Sequence, residues 1–430
     1  MLKQICCALG LLCLATPAVR ADVLPDGFVC ETVAEGLAQP VGLAYAPDGR
    51  LFVTEKNGHV RVVSPDGEVQ TESFAELEVY TVNENGLLGI ALDPDFAENH
   101  YVYVFASISD VQQQIVRYTD VDGVGTDPKI IREFLPGSEA VHSGGCLKFG
   151  PDGKLYFSIG DTGDRGLAQD LKTLAGKISR IEPNGDVPSD NPFMTPTGSV
   201  RAVYALGFRN PFRFCFAPDG RMFVFDVGSD DAPRREEINI IRRGDNAGWP
   251  LAEGRSLLPL IPNMVQPLVS YHEKGQAITG GLYYSGNRFP AEYQGNLFHA
   301  EYVLHRIYRT VLDGDNLVSH EVFWQGEGGG PVDMIQAPDG SIVFSEIFTG
   351  RVRRIRSTAP TPEDEPETDE PSDTPDDVTA TETDADLSDA PPMPNRCGLG
   401  LPIATMLVTI ALTLARFVAP SRVARRRREA

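Results

Sequence analysis

The sequence predicts an all-β fold: a six-bladed β-propeller with a signal peptide before it, and an acidic disordered linker and single C-terminal transmembrane segment after it. A hairpin pattern recurs about six times, no long helical periodicity separates its copies, and the composition changes abruptly at both ends. The 430 residues are 42% hydrophobic and 23% charged, which excludes wholesale disorder and a multi-span membrane protein. The net charge is −22 and only the last residues are basic, so we expect no nucleic-acid partner.

Residues 1–21 have the features of a secretory signal peptide. Lys3 gives a positive start, an apolar core follows at 5–15, and small residues flank the expected cleavage point after Ala21. The apolar core is too short to span a bilayer, which disfavours an uncleaved anchor. The mature protein is therefore expected to begin at residue 22 and to be exported.

Residues 22–357 contain the repeats and are predicted to form the propeller. Each copy is an apolar strand, a Pro-Asp-Gly turn and a second apolar strand, and proline, aspartate and glycine all suit such a turn. Four copies lie at 43–55, 147–161, 214–228 and 334–346, with looser copies at 90–106 and 282–302. Recurrence on this scale is typical of propeller blades, with 162–200 and 250–276 interpreted as inserted loops. A tandem of β-sandwiches is the alternative, which the recurring turn disfavours.

Residues 358–395 are predicted to be an extended acidic linker. They hold 13 Asp or Glu and 8 Pro, with no Lys, Arg or aromatic residue. Such a segment buries too little apolar surface to offset the entropy of ordering.

Residues 396–419 are predicted to span a membrane once, and 420–430 to form a basic cytoplasmic tail. The propeller would then lie outside the cytoplasm, at the cell surface, in the periplasm or secreted, anchored by the C-terminus unless processed. The layout also resembles bacterial C-terminal sorting signals, with Cys397-Gly398 as the motif and a sorting protease as partner. The two readings stay open.

The cysteines of the folded part are Cys30, Cys146 and Cys215. One disulfide is possible in an oxidising compartment, and the sequence does not say which two would pair. The spacing fits no zinc site, so we interpret these residues as structural or inert.

Seven short segments contain residues that the hairpin pattern alone does not explain. They are 84–89 (ENGLLG), 142–145 (HSGG), 175–181 (AGKISRI), 207–211 (GFRNP), 226–228 (DVG), 236–239 (EEIN) and 244–250 (GDNAGWP). In this order they resemble the glucose/sorbosone dehydrogenase family, the soluble quinoprotein sugar dehydrogenases, over nearly all of 25–356. The resemblance implies a six-bladed propeller, which agrees with the repeat count.

The resemblance also implies catalytic and cofactor-binding residues. His142 matches the general base, which takes the proton of a sugar's anomeric hydroxyl while hydride leaves to the quinone, a task that suits a histidine. Arg209 and Asn210 match the pair that contacts the quinone, where an arginine would stabilise developing negative charge. Glu84 stands at a further cofactor-binding position, where the best-studied branch has Gln. Without the resemblance, a structural histidine bonded in a turn is the alternative for His142.

Calcium is the second cofactor that the resemblance implies. Gly228 and Ser229 match the positions whose backbone oxygens hold a catalytic calcium ion beside the quinone. Glu237 and the carbonyl of Ala247 match a second, structural calcium site, with Glu236 nearby, and oxygen ligands are those that calcium prefers. A solvated acidic turn is the alternative for Glu236 and Glu237.

The sequence departs from the family where the quinone's carboxylates are held. Two arginines are expected just before Asp333, but this chain has 328–332 (GGGPV), and no cation stands at 284–286. Without bidentate Arg–carboxylate pairs, a tricarboxylate binds more weakly. Val141 also replaces an acidic residue. The pattern is closer to the branch that includes the hedgehog-interacting-protein propellers, whose members need not bind a quinone.

The sequence therefore predicts an extracytoplasmic oxidoreductase that oxidises aldose sugars with pyrroloquinoline quinone (PQQ) and calcium. One alternative is a non-catalytic surface propeller that binds a glycan or a protein. Another is a calcium-dependent lactonase-like hydrolase, which rests on fold analogy alone. His142 with Arg209 favours the dehydrogenase, and the missing arginines favour the binding propeller. The sugar, the electron acceptor and the oligomeric state stay open.

Overall fold

The computed structural model describes residues 22–135, 140–194, 200–231, 234–257, 261–272 and 276–359. The predicted signal peptide, the linker beyond residue 359, the segment 396–419 and the basic tail lie outside these residues. Within the described ranges, no helix is long and apolar enough to cross a membrane.

Six four-stranded antiparallel sheets form a propeller, as the repeats predict. The first strand of the chain is β1 (Phe28–Ala34). Blade 1 comprises β2 (Pro40–Tyr45), β3 (Leu51–Glu55), β4 (His59–Val63) and β5 (Ala75–Glu76). Blade 2 comprises β6 (Leu87–Leu92), β7 (Tyr101–Ser107), β8 (Gln113–Val121) and β9 (Val124–Phe134). Blade 3 comprises β10 (Leu147–Phe149), β11 (Leu155–Ile159), β12 (Lys177–Ile181) and β13 (Val203–Leu206).

The second half of the ring is built in the same way. Blade 4 comprises β14 (Pro211–Phe216), β15 (Met222–Asp226), β16 (Glu236–Ile241) and β17 (Val269–Tyr271). Blade 5 comprises β18 (Ile278–Tyr283), β19 (Leu297–Glu301), β20 (Arg306–Asp313) and β21 (Asn316–Gln325). Blade 6 comprises β22 (Pro331–Gln336), β23 (Ile342–Glu346), β24 (Arg351–Ser357) and β1. The described helices are short: α1 (Phe96–Asn99) and the 3-10 turns Arg165–Gln169, Val200–Ala202 and Ala291–Tyr293.

The ring is closed by strands from the two ends of the domain. β1 pairs antiparallel with β24, so that Phe28 lies opposite Ser357 and Cys30 opposite Ile355. Pairing of these strands satisfies backbone groups that an open edge would expose. The closure makes both ends of the domain necessary for the fold.

The repeated hairpins are the first two strands of each blade. In blade 1, the turn is held by the Gly49 N–H, which donates to the Ala46 carbonyl at 3.0 Å, and Gly49 has φ 86°. The Pro-Asp-Gly turns of the four close repeat copies therefore join first to second strands, at the same end of the propeller, and a further Pro-Asp-Gly turn at 65–67 follows β4. The interpretation of 162–200 and 250–276 as inserted loops is wrong in part, because β12 and β17 lie within them.

Large side chains pack between neighbouring blades. Between blades 2 and 3, the rings of Phe134 and Phe157 stack with centroids 5.1 Å apart, and Phe105 joins the same cluster. Because both faces of a blade are covered by its neighbours, the second strands are buried along their length. The polar site residues consequently lie in loops or at the ends of strands.

A buried ion pair crosses the central channel. Arg213 Nε on β14 donates to Asp333 Oδ1 on β22 at 3.0 Å, and both side chains are almost fully buried. Asp333 Oδ2 accepts the Leu43 N–H of β2 at 3.0 Å, while Arg213 donates to the Leu88 carbonyl of β6 at 3.1 Å. The pair thus ties together the first strands of blades 1, 2, 4 and 6.

The three cysteines of the domain are free thiols, so the disulfide that the count allows does not form. Cys146 and Cys215 are buried and Cys30 is half-buried. Burial raises the pKa of Cys215 to about 12, which keeps the thiol in its unreactive protonated form.

Candidate functional site

A cavity of about 220 Å³ opens at the end of the channel where the first strands of the blades begin. Apolar side chains of the first strands form most of its wall: Val41, Leu88, Phe212 and Val332. Loop and strand-end residues form its polar rim: Lys56, Asn83, Glu84, Asn210, Thr279 and Tyr302. The Pro-Asp-Gly turns lie at the opposite end. Sequence that varies between the repeats therefore surrounds the cavity.

Glu84 and Asn210, two predicted cofactor-binding residues, meet on this rim. Asn210 Nδ2 donates to Glu84 Oε2 at 3.0 Å, and Asn210 Oδ1 accepts the Gly144 N–H at 3.1 Å. The Ser143 N–H lies 3.4 Å from the same Glu84 oxygen. The loops that enter blades 2, 3 and 4 are thereby joined into one polar network.

His142 lies in the loop between blades 2 and 3 and is paired with a buried carboxylate. His142 Nδ1 is 2.5 Å from Asp161 Oδ1, and the two side chains are 16% and 2% exposed. Asp161 Oδ2 accepts the indole N–H of Trp249 at 2.8 Å. An ionised Asp161 can only accept, so Nδ1 carries a proton, and in the neutral imidazole Nε2 is then the nitrogen with the lone pair.

Hydrogen bonds from neighbouring groups and the charge of His142 keep Asp161 ionised. Burial pushes the pKa of Asp161 upward, but the hydrogen bond and charge of His142 outweigh it, helped by the Gly163 N–H and Trp249. The net result is a pKa below the usual value for an aspartate. Asp161 is thus an anion throughout the neutral range, suited to orient an imidazole and stabilise its protonated form.

The backbone at His142 is held in an uncommon conformation. His142 has φ 52° and Gly144 φ 61°, both in the left-handed region that non-glycine residues rarely adopt. A Cβ atom at Gly160 would lie 2.2 Å from the His142 carbonyl oxygen, so only glycine permits this approach. Backbone strain of this kind concentrates at functional sites.

Arg209 is fixed from both its backbone and its side chain. Asp226 accepts the N–H groups of Arg209 and Asn210, at 3.1 and 2.7 Å. The guanidinium donates to the Val227 carbonyl at 3.2 Å and to Asp230 at 3.3 Å. The Arg209 carbonyl in turn accepts the Asp161 N–H at 2.7 Å, which links it to the histidine pair.

A second, much smaller cavity of about 10 Å³ adjoins Arg209. Gly228 and the carboxylates Asp226, Glu237 and Glu253 line it. Burial raises the pKa of Glu237 to about 7, with a smaller contribution from the nearby carboxylates. Burial, and then the charge of Glu237, also raises the pKa of Asp226 well above its usual value. This void has room for about one water molecule or ion.

The remaining predicted calcium ligands do not line this void. Ser229 donates through both its N–H and its hydroxyl to Glu253, each at 2.7 Å. Glu236 is fully buried and accepts the Ile278 N–H at 2.9 Å and the Gly228 N–H at 3.3 Å. Ala247 packs in a hydrophobic cluster with Phe208 and Phe214. The grouping of Glu236, Glu237 and the Ala247 carbonyl as calcium ligands stays a prediction.

The donor types fit calcium and the cavity fits a planar ring. The carboxylates around the small void offer the oxygen ligands that calcium prefers, although Arg209 and Arg235 also line it. Within the described ranges, however, no three His, Cys, Asp or Glu side chains are gathered closely enough to hold a metal ion. The larger cavity has mostly apolar walls and a polar rim, as small-molecule sites commonly do, and Lys56 is its one cationic lining residue among those described.

His142, Arg209 and Gly228 lie at one end of the propeller but around two adjoining cavities rather than one pocket. Glu84 and Asn210 line the large cavity, and Arg209 and Gly228 line the small one. His142 itself lines neither cavity. It is linked to them by its hydrogen bond with Asp161 and by the N–H groups of Ser143 and Gly144, which contact Glu84 and Asn210. The roles of these residues remain predictions.

Sequence reasoning missed the buried acids that position the site. Second strands end in Glu55, Asp226, Glu301 and Glu346, each at most 5% exposed, and Asp161 closely follows β11. Three of these acids accept N–H groups of the loop that enters their own blade: Glu55 from Ala38, Asp226 from Arg209 and Asn210, and Glu301 from Ala277. An acidic residue at or just after the end of the second apolar run, present in five of the six repeats but not in blade 2, was the signal in the sequence.

Comparisons with known proteins agree with this fold and site. The family model of glucose/sorbosone dehydrogenase matches residues 37–354. The aldose sugar dehydrogenase YliI of Escherichia coli is 26% identical over 80% of this chain and 96% of that protein. Quinoprotein glucose dehydrogenase B of Acinetobacter calcoaceticus is 32% identical over 56% of this chain and 56% of that protein.

A solved structure and a more distantly related protein are also similar to this chain. The PQQ-bound aldose sugar dehydrogenase of Streptomyces coelicolor superposes with a TM-score of 0.67 at 29% identity, over 78% of this chain and 99% of that one. Human hedgehog-interacting protein is 30% identical over 43% of this chain and 31% of that protein. The identities to the quinoprotein and hedgehog-interacting relatives are too similar to rank the two branches. The family match spans most of the propeller, and this chain belongs to the glucose/sorbosone dehydrogenase family.

Proposed function

We propose that this protein is an extracytoplasmic dehydrogenase that oxidises aldose sugars with PQQ and calcium. The observation that carries the proposal is the pairing of His142 with Asp161 beside the Arg209–Asn210 loop. A buried carboxylate that fixes one imidazole nitrogen leaves the other as a base, the arrangement that proton abstraction needs. The names of the bacterial relatives support the sugar as substrate.

The residues of this chain would divide the reaction as follows. His142 Nε2 takes the proton of the anomeric hydroxyl, and Asp161 stabilises the imidazolium that results. When bound, the quinone supplies the acceptor for the hydride that leaves the same carbon, so that the sugar becomes a lactone. Asn210, on the rim of the large cavity, would orient the acceptor, and the Arg209 guanidinium in the adjoining small cavity would stabilise negative charge nearby. Asp226 and Glu237 would contribute oxygens to a calcium ion at the small void.

Export and C-terminal anchoring are part of the proposal. They are supported by the composition of 1–21 and 396–430. β24 ends at the end of the propeller opposite the cavity, since Ser357 extends beyond the Ile342–Ile355 pair.

The experiment is to add PQQ and calcium to the purified full-length protein and to record the quinone spectrum and sugar-dependent dye reduction. We expect both an altered spectrum and dye reduction. His142→Ala should lower turnover by roughly two to four orders of magnitude and change sugar binding far less. Quinone binding without dye reduction for any aldose tested would contradict the dehydrogenase, and lactone hydrolysis in its place would favour the hydrolase.

A non-catalytic binding propeller is the second candidate. It is favoured by the absence of arginine from 328–332 and by the similarity to hedgehog-interacting protein. It predicts binding of a glycan or a protein at the same cavity end with no quinone bound. A glycan array probed with and without PQQ separates the two candidates.

A further inference from the structure

Among the described residues, the cationic side chain that lines the large cavity belongs to Lys56 of blade 1. Lys56 follows β3 and lies on the cavity rim. Its backbone is fixed on both sides, because its N–H donates to the Gln39 carbonyl at 3.0 Å and its carbonyl accepts the Leu87 N–H at 3.2 Å. The base of the side chain is thus held at the rim.

The ammonium group of Lys56 has no carboxylate partner among the described residues. Nζ donates to the Thr81 carbonyl at 2.7 Å, a neutral acceptor. Burial alone lowers the pKa of Lys56, with no neighbouring charge contributing. Glu84, the acid on the same rim, is engaged by Asn210 and Ser143. A partly desolvated cation whose charge is not compensated is a binding group for an anion.

Lys56 belongs to the blade next to the one that lacks positive charge at the cavity. The arginine-free segment 328–332 leads into β22, and its Val332 gives the cavity only an apolar surface. Blade 6 neighbours blade 1, since β22 contacts β2. In a six-membered ring, blade 1 lies opposite blade 4, which Asn210 precedes. Asn210 and Lys56 both line this cavity, and both contact the 81–87 loop that enters blade 2, so a ligand that contacts Asn210 there can also reach Lys56.

We infer that Lys56 binds a carboxylate of the quinone from blade 1 and takes the place of the arginines absent from 328–332. This inference rests on the proposed function. It makes quinone affinity depend on one Lys–carboxylate contact, weaker and less directional than a bidentate arginine pair.

Equilibrium binding of PQQ, followed by fluorescence or dialysis without any turnover, tests the inference. Lys56→Met should weaken binding by roughly 10- to 100-fold, the range for hydrogen bonds to charged groups, and Lys56→Arg should largely retain it. Lys129→Met is the matched control, because Lys129 is exposed on the outer strand of blade 2, and it should bind like the wild type.

The trimethyl ester of PQQ provides a test that needs no variant. We expect the wild type to bind the ester more weakly than PQQ, and Lys56→Met to bind the two with similar affinity. If the wild type binds PQQ and Lys56→Met binds it equally well, the inference is overturned while the proposed function stands. Equal affinity of the wild type for ester and acid would overturn it too. Absence of any PQQ binding by the wild type would overturn both.

Discussion

His142 Nδ1 and Asp161 Oδ1 are 2.5 Å apart, although the two residues lie in different loops. His142 lies in the loop from blade 2 to blade 3, and Asp161 lies in the loop after β11 within blade 3. The contact forms because the loop entering β10 and the loop leaving β11 meet at the same end of the blade. Trp249 reaches the other oxygen of Asp161 from the loop between β16 and β17. The histidine is thereby oriented by a group that no local sequence motif contains.

Asp161→Asn is expected to lower turnover by roughly 100-fold or more with little change in KM. An asparagine offers one acceptor oxygen, which cannot serve both His142 and the Trp249 N–H. Its amide N–H₂ would then face Nδ1 and move the imidazole proton to Nε2, which removes the base. Steady-state kinetics across pH provide the measurement, with the exposed Asp231→Asn as control. Wild-type turnover in Asp161→Asn would rule out this positioning role.

Replacing one member of the Arg213–Asp333 pair should destabilise the propeller. Arg213→Met leaves the buried Asp333 without its ionic partner, and the expected loss is about 3–5 kcal/mol. The double variant Arg213→Met/Asp333→Leu should lose less, because no uncompensated charge remains. Denaturant unfolding of both variants and the wild type measures this. Additive losses in the double variant would contradict the coupling.

Calcium should stabilise the protein more at pH 8 than at pH 5.5. The folded protein keeps a proton on Glu237 up to about pH 7, whereas the unfolded chain releases it near the ordinary value of 4.5. The folded state binds more protons between these values, so stability without calcium falls as the pH rises through this window. Calcium needs the ionised carboxylate and therefore gains affinity over the same range.

Melting temperatures with calcium and with a chelator, at about pH 5.5 and about pH 8, provide the measurement. Glu237→Gln should abolish most of the calcium effect, and Glu68→Gln, an exposed change, should leave it intact. A melting temperature that calcium leaves unchanged at both pH values would mean that these carboxylates hold no calcium.

Deleting 396–430 should convert a membrane- or surface-bound protein into a soluble, folded one. The deleted segment contains the predicted span and the basic flank, whereas the propeller is closed by β1 and β24 before residue 359. Fractionation of the two forms, with thermal unfolding of the truncated one, is the measurement. Recovery of the full-length chain as a soluble cytoplasmic protein would contradict both the export and the anchor.

The sequence by itself determined the number and identity of the blades. The Pro-Asp-Gly turn and its flanking apolar runs are local signals, because turn residues and alternating strands act over a few neighbours. Each repeat copy accordingly marks the first two strands of a blade. The strands β12 and β17 were missed because they are short and lie within long polar stretches, where period-two alternation is weak.

Only the tertiary structure decided which groups meet at the cavity. The ring of blades sets the positions of Asp161, Trp249 and Lys56. Contacts such as that of Asn210 with Glu84 join residues that are 126 positions apart in the chain. The channel pair Arg213–Asp333 likewise joins strands of blades 4 and 6, which are not neighbours in the ring. Local sequence patterns fix turns and strands, but the closure of β1 on β24 brings distant loops to one end of the channel. For this physical reason the blades were predictable and the partners of His142 were not.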